Sequence, residues 1–381
     1  MLLRDIPGHS DTKQFFTKMV QEDRVPHALM LVGGEGYGKL ALALGLATYL
    51  QCPQKTARGA CGECNSCHKA TQFIHPDIHF SFPVIKKDKL KREDTTSKHF
   101  LPEFRSFLDT KPYGDINEWL QHLGAVDKQP NMNVAECNQM IKNLGLKTYE
   151  GDYKVQIVWN ADHLGKEGNR ILKLVEEPSD DTIIIMITNN RGSILNTLQS
   201  RCQIVNVPPV SDEALLGYIK SQFELSEEDQ QELAFLAAGN LRKAQLLGQR
   251  QELNYSEDLL NWLRISYKGD PEDIVAFMDS KAASGKQELV NFFEYGLHFL
   301  REYLLYLNTG HLDALRLTST EKEVAHKMTK IISFGKTEQI KSLLEESIDF
   351  VRRNVGLKAL VMTMSLQINT ILKSEVNNFV S

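Results

Sequence analysis

A chain of 381 residues has material for two or three domains, and its 42% hydrophobic and 24% charged content excludes a low-complexity or disordered polymer. A net charge of −5 at pH 7 excludes a global basic field that could hold nucleic acid unaided. No run approaches transmembrane length and the N-terminal residues lack an apolar signal stretch, so the expectation is a cytoplasmic protein with no membrane partner.

In chain order, residues 1–27 read as helical, with Ser10 or Asp11 capping a face that carries Phe15, Phe16 and Met19. His27–Val32 is a short apolar run suited to a buried strand. Gly33-Gly34-Glu35-Gly36-Tyr37-Gly38-Lys39-Leu40 follows, a phosphate-binding loop complete except at its last position. In that pattern the glycines let backbone N–H groups approach phosphate, the lysine reaches the terminal phosphates, and a Ser or Thr hydroxyl binds Mg2+. Gly33, Gly38 and Lys39 could still cradle an anion, but the Leu40 alkyl group cannot ligate a hard cation. Leu40–Leu50 is rich in helix formers, completing the strand, loop and helix order that sets a helix N-terminus against phosphate.

Four of the six cysteines, Cys52, Cys61, Cys64 and Cys67, come next in a C-x8-C-x2-C-x2-C pattern. Without an export signal such a cluster points to a metal before a disulfide. Four thiolates with no open position suit a tetrahedral, structural Zn2+. His68 or His75 in place of one cysteine, an iron–sulfur cluster and a set of free thiols are the alternatives. Ile85–Lys98 is strongly charged and reads as a solvated loop with basic bias, and secondarily as a DNA contact. Phe, Trp and Leu at mixed spacing over 99–130, with Pro112-Tyr113-Gly114, predict short helices, so 86–130 reads as an insertion.

Val134–Leu144 has a helical period. Val155–Trp159, Thr182–Thr188 and Cys202–Val207 are buried-strand candidates, and the helix predicted over Gly168–Glu177 is stopped by Pro178. Strands alternating with helices predict a doubly wound α/β domain over 1–208. Beyond 210 only helices are indicated, with Ser211 and Ser226 as caps and a break at Gly239-Asn240. Tyr295, Phe299, Tyr303 and Tyr306 make one of these helices apolar nearly all round, which suggests deep burial or a subunit interface.

Hydrolysis by such a fold needs carboxylates at the end of the strand beside the loop strand. Trp159 and Asn160 stand where those acids belong, with Asp162 slightly beyond. Leu40 and Trp159/Asn160 are separate losses on the same pathway. Ser200-Arg201-Cys202 survives, although a lone arginine before a strand is, on chemistry alone, a surface ion pair.

Taken together these segments resemble the clamp-loader branch of the AAA+ family. The likeness runs from about residue 5 to 250, through His27-Ala28-Leu29, the glycine loop, the cysteine knuckle at 52–67 and His75-Pro76-Asp77. It continues through Lys154-Val155, Asn169-x-x-Leu172-Lys173-x-x-Glu176-Glu177-Pro178, Thr188-Asn189, Ser200-Arg201-Cys202 and Gly239-Asn240-Leu241-Arg242. The resemblance implies an ATPase-like α/β P-loop domain (1–208), a small helical lid (209–250) and an all-α collar for oligomerisation (251–381). It implies a subunit without intrinsic catalysis in the DNA polymerase III clamp loader, which loads the sliding clamp onto primed DNA. The implied partners are the gamma/tau motor subunits and delta, with the sliding clamp and primer-template DNA reached through the complex. Arg201 would serve in trans as an arginine finger, Thr188, Asn189 and Arg242 would occupy sensor positions, and zinc would be structural. ATP hydrolysis by this chain is not expected. The competing expectations are an active gamma/tau-like ATPase that recruits Asp162, and a zinc-knuckle nucleic-acid-binding protein that uses the basic loop.

Overall fold

The computed structural model describes residues 1–87, 90–126, 128–249, 255–313, 315, 317, 319–352 and 355–374. Asp88 and Lys89 of the charged loop, Asp127 of the insertion and several positions beyond 249 lie outside the described residues. The chain divides into two units, Met1–Glu224 with Ala237–Gly248, and Leu225–Leu236 with Gln249–Ser381.

The first unit is built on a five-stranded, wholly parallel sheet of order β2-β3-β4-β1-β5. The strands are β1 (Ala28–Val32), β2 (Ile78–Ser81), β3 (Lys154–Val158), β4 (Thr182–Thr188) and β5 (Gln203–Asn206). Every residue of central β4 is buried, as an uninterrupted β-branched run demands. Strand β2 is absent from the sequence expectations: Ile-His-Phe-Ser is short and carries a polar ring, and only its pairing with β3 makes it a strand.

Helix α1 (Ser10–Gln21) is shorter than the helix predicted over 1–27. Pro7-Gly8 breaks the run, Gly8 has φ +61°, and left-handed His9 is the N-cap rather than Ser10 or Asp11. Helix α2 (Lys39–Gln51) is buried along its whole length, consistent with apolar residues on all its faces. The short α3 (Asn65–Thr71) is capped by Cys64 and carries Cys67. The insertion contributes α4 (Leu101–Thr110) and α5 (Ile116–His122), followed by α6 (Val134–Leu144).

The insertion is not loose. Phe82 stacks on Phe104 with centroids 3.9 Å apart, Trp119 meets Phe104 edge-on at 5.5 Å, and the Trp119 indole N–H donates to Pro83 O at 3.0 Å. Buried Glu136 accepts from the Ser97 amide at 2.7 Å and from its hydroxyl at 2.6 Å, so both of its oxygens are used. The predicted helix over 168–177 is instead a 3-10 winding at Ala161–Ile171 that kinks at Gly165 (φ 49°) before α7 (Leu172–Glu176). α7 ends just before Pro178, whose ring disfavours helical geometry at the preceding residue. Met140, Leu144, Ile171, Val175 and Leu198 pack against Val158 and Met186 of the sheet. Helices α8 (Asn196–Gln199) and α9 (Asp212–Gln222, capped by Ser211) complete the run before α10 (Glu227–Ala237, with Ser226 bonded to the Asp229 amide) and α11 (Leu241–Gly248).

The second unit is all-α: nearly all of α10, then α12 (Tyr255–Lys268), α13 (Pro271–Ala283), α14 (Lys286–Thr309), α15 (Ser319–Met328), α16 (Phe334–Arg352) and α17 (Leu357–Lys373). Trp262 anchors it, packed on Phe277, Phe292 and Phe293, with its indole N–H donating to Ser365 Oγ at 2.8 Å. Tyr295, Phe299, Tyr303 and Tyr306 are all buried within the unit, and Tyr303 Oη donates to Ile332 O at 2.8 Å.

One carboxylate of this unit sets a pH dependence. Glu232 has an oxygen with no hydrogen-bond partner among the described residues, and burial, then Glu321 and Asp229, push its pKa up to about 8. The folded state therefore keeps a proton that the unfolded chain releases near 4.5, so stability is lost as pH rises from there through about 8. Glu232→Gln is expected to leave Tm near the wild-type value at pH 5. At pH 8.5 it should raise stability by on the order of 1–3 kcal/mol, measured by urea unfolding at the two pH values. Parallel pH profiles would disprove the assignment.

Candidate functional site

Strand β1 delivers the chain into the glycine loop. A Cβ on Gly33 would lie 2.2 Å from Val207 O, so no larger residue fits, and Gly38 caps α2 with φ +82°. Lys39 turns back on its own loop, donating to Gly33 O at 2.7 Å and Gly34 O at 2.5 Å. Burial pushes its pKa down to about 8, against the opposing pull of Glu35 and Asp162. The Leu40 side chain is buried at 4% exposure and packs where a hydroxyl would coordinate.

A half-open cleft lies above the loop. Trp159 and Asn160 line it from the end of β3, Asn189 from the end of β4, and Pro112–Asp115 of the insertion from the opposite side. About 20 Å³ of this half-open cleft is enclosed enough to hold water. Trp159 is held by the insertion, its ring 5.6 Å from that of Phe104 and 5.7 Å from that of Phe107. Asp162, just beyond Trp159 and Asn160 in the chain, accepts from the hydroxyls of Thr188 and Ser193.

The segment that carries Arg242 closes on the same loop. Asn240 Nδ2 donates to Glu35 O at 2.9 Å, and the Leu241 amide donates to Gly36 O at 3.0 Å. The Arg242 guanidinium then spans two carboxylates of the insertion, with Nη2 2.9 Å from Asp115 Oδ2 and Nε 2.6 Å from Glu118 Oε2. Lys111 holds the other Glu118 oxygen at 3.1 Å. Burial alone would raise the Glu118 pKa, but Arg242 and Lys111 outweigh it and hold the carboxyl below its ordinary value. Glu35 is shifted the other way, raised by burial and by Asp115.

Arg201 does not line this cleft. It follows α8 with its side chain 37% exposed, Nη2 2.7 Å from Glu176 Oε1 and Nη1 donating to Thr197 O at 2.8 Å. The first of the two adjacent glutamates thus holds the guanidinium of the Ser-Arg-Cys motif at the surface. Sequence reasoning missed Glu35, Asp115, Glu118 and Glu176 as members of these sites. The local signals were the place of Glu35 in the glycine loop, the Glu176-Glu177-Pro178 segment and the Asp115-x-x-Glu118 spacing, which is a capping box on α5.

The four predicted cysteine ligands converge, with all sulfurs within 4.8 Å of one another. Cys52 and Cys61 Sγ are 3.6 Å apart and Cys61 and Cys67 Sγ 3.8 Å apart. A tetrahedral site with Zn–S bonds of about 2.3 Å requires S···S near ~3.8 Å, so the set fits zinc. The Cys64 and Cys67 amides each point at the sulfur three residues back, at 3.4 Å. Amides of Glu63 and Cys64 push the Cys61 thiol down to about 6, which favours the ligating thiolate. His75 is engaged elsewhere, 3.0 Å from Ser66 Oγ. Asp77, from the same His-Pro-Asp motif, accepts the amides of Tyr149, Glu150 and Gly151 and pins the turn into β3.

A model of the family described as DNA polymerase III, delta subunit matches residues 8–211. The delta' subunit of DNA polymerase III from Haemophilus influenzae is 26% identical over 239 residues, covering 62% of this chain and 59% of the relative. That of Bacillus subtilis is 25% identical over 51% of this chain and 46% of its own length, and that of Escherichia coli 23% identical over 80% and 78%. The chain thus spans only about half the length of the first relatives it matches. A gamma-subunit-related protein from Thermotoga maritima superposes with a TM-score of 0.40 at 15% identity, over 94% of this chain and 99% of that one, which is too loose to inform the site. The matched model spans more than half of the 381 residues, and the chain belongs to the DNA polymerase III delta-subunit family, on the side of its delta-prime members.

Proposed function

We propose that this chain is a non-hydrolysing clamp-loader subunit of DNA polymerase III that helps place the sliding clamp on primed DNA. The observation that carries the non-hydrolysing part is the lining of the cleft: Pro112–Asp115 of the insertion enter it, and Leu40 and Trp159 stand in place of the metal-binding groups. Lys39 spends its charge on its own loop carbonyls. Thr188, Asn189 and Arg242 keep sensor positions with nothing to sense. Asp162 is held by hydroxyls, which weighs against an active gamma/tau-like ATPase.

The chemistry is exported. Arg201 sits in a half-exposed ion pair with Glu176, and such surface pairs are worth only about 0–1 kcal/mol. Transferring the guanidinium to the γ-phosphate of ATP on a neighbouring motor subunit therefore costs little. There it would stabilise charge that develops on the transferring phosphoryl group. The zinc held by Cys52, Cys61, Cys64 and Cys67 would close the loop after α2 and take no part in reaction. The proposed partners are the gamma/tau and delta subunits, and through the complex the clamp and primer-template DNA.

Reconstitution tests this reading. The chain alone should show no ATP turnover with Mg2+, should co-elute with matching motor and delta subunits on gel filtration, and should be required for clamp loading by them. Turnover by the isolated chain that Asp162→Asn abolishes would refute it. So would clamp loading that proceeds equally well without the chain.

A further inference from the structure

The absence of a nucleotide does not require the insertion to enter the cleft or Arg242 to grip it. Both happen within the first unit, and together they have the form of a bound ligand. We propose that the insertion is an internal surrogate for nucleotide: the carboxylates of Asp115 and Glu118 take the place of phosphate at Arg242 and lock residues 240–248 onto the glycine loop.

Guanidinium offers a planar fork that pairs equally well with carboxylate and phosphate oxygens. Here Nε and Nη2 reach two separate carboxylates at 2.6 and 2.9 Å, as they would reach two oxygens of a phosphate chain. The receiving groups are dry, the Asp115 side chain at 1% exposure and that of Glu118 at 7%. Breaking a buried pair leaves an uncompensated charge and is strongly destabilising, so the lock is far stronger than the surface pair at Arg201. Helix α5 presents the two carboxylates together, because Asp115 accepts the Glu118 amide at 2.7 Å while Glu118 reaches back to the Asp115 amide at 3.3 Å. Behind them Trp119 is fixed in the aromatic cluster with Phe104 and Phe107.

The charge balance points the same way. Glu35, Asp115 and Glu118 face Lys39, Arg242 and Lys111, so the cations of the site already have carboxylates of the same chain beside them. A triphosphate would have to displace those carboxylates. A bound nucleotide comes and goes, whereas residues of the same chain do not leave. The segment 240–248 is accordingly held in one arrangement at every stage of a neighbour's ATP cycle. This inference rests on the reading of residues 33–40 as a phosphate loop that holds no nucleotide, and is independent of the role of Arg201.

Hydrogen exchange on the full chain tests it. Wild type should show slow exchange over 240–248, unchanged by millimolar ADP or inorganic pyrophosphate. The double substitution Asp115→Asn with Glu118→Gln should speed exchange there by at least ~10-fold while β4 amides stay protected. Added pyrophosphate should then restore protection in that variant, whose Arg242 and Lys111 have lost their carboxylates, and should do nothing in Arg242→Ala. If the double variant unfolds, Arg242→Lys keeps the charge but loses the fork, and should give a smaller acceleration with β4 intact. Unchanged exchange in the variants overturns the lock. Acceleration that pyrophosphate fails to reverse overturns the phosphate equivalence. Protection of the wild type by ADP instead refutes the nucleotide-free reading itself.

Discussion

Arg201→Ala should lower ATP turnover at the one motor site that faces this chain by about 10³–10⁵-fold, the range seen when an arginine finger is removed from a phosphoryl-transfer site. The measurement is single-turnover hydrolysis by the reconstituted complex, with the other motor sites disabled. The complex should stay assembled, because the Arg201 side chain contacts Glu176, Thr197 and Ser200 within its own chain and none of these contacts is buried. Binding of ATP by the motor subunit should change far less than hydrolysis, since the charge that Arg201 would stabilise develops in the transition state. Glu176→Gln is a companion test. It removes the resting partner but leaves the guanidinium free, so its effect should be several-fold at most, whereas a purely structural role for the pair would make both variants equally harmful. Unchanged turnover by Arg201→Ala in an intact complex would end the proposal.

Metal removal should have the second-largest effect. The stretch Pro53–Arg58 is exposed, and residues 52–67 bury little apolar surface apart from Cys52, Ala60 and Cys67. Such a loop cannot order itself by burial, and structural zinc supplies roughly 10–16 kcal/mol in small peptide sites. The expected outcome is one zinc per purified chain by elemental analysis. Strong chelators or Cys64→Ser should then make residues 52–67 the first site of protease cleavage and lower Tm. The sheet should survive, since none of its strands passes through the knuckle. A chain purified without metal and equally resistant to cleavage would show that the thiols are simply buried neighbours. Bound iron with visible absorption would replace zinc by a cluster.

Features that depend on a few consecutive residues could be read directly. The β1–loop–α2 unit, the β-branched run of β4 and the cysteine ligand set all declare themselves locally, because strand burial, a tight glycine turn and thiolate spacing are short-range properties. Where local signals conflict, reading along the chain fails. Pro7-Gly8 cut the N-terminal helix short, the helix expected over Gly168–Glu177 is 3-10 up to Ile171 and α-helical only from Leu172, and His79 masked an edge strand that exists only by pairing with β3.

By itself the sequence determined the parallel α/β class, the membership of the delta-subunit family and the missing groups at Leu40, Trp159 and Asn160, since each follows from residue identity at a known place in a motif. Only the tertiary structure decided what became of the vacated chemistry. Residues 111–118 return to a loop some eighty positions earlier, Arg242 meets Asp115 across more than a hundred, and Arg201 finds Glu176. No spacing rule links such partners. Their pairing is set by where the aromatic cluster and the sheet hold them, and by the high cost of burying a charge without its counterpart.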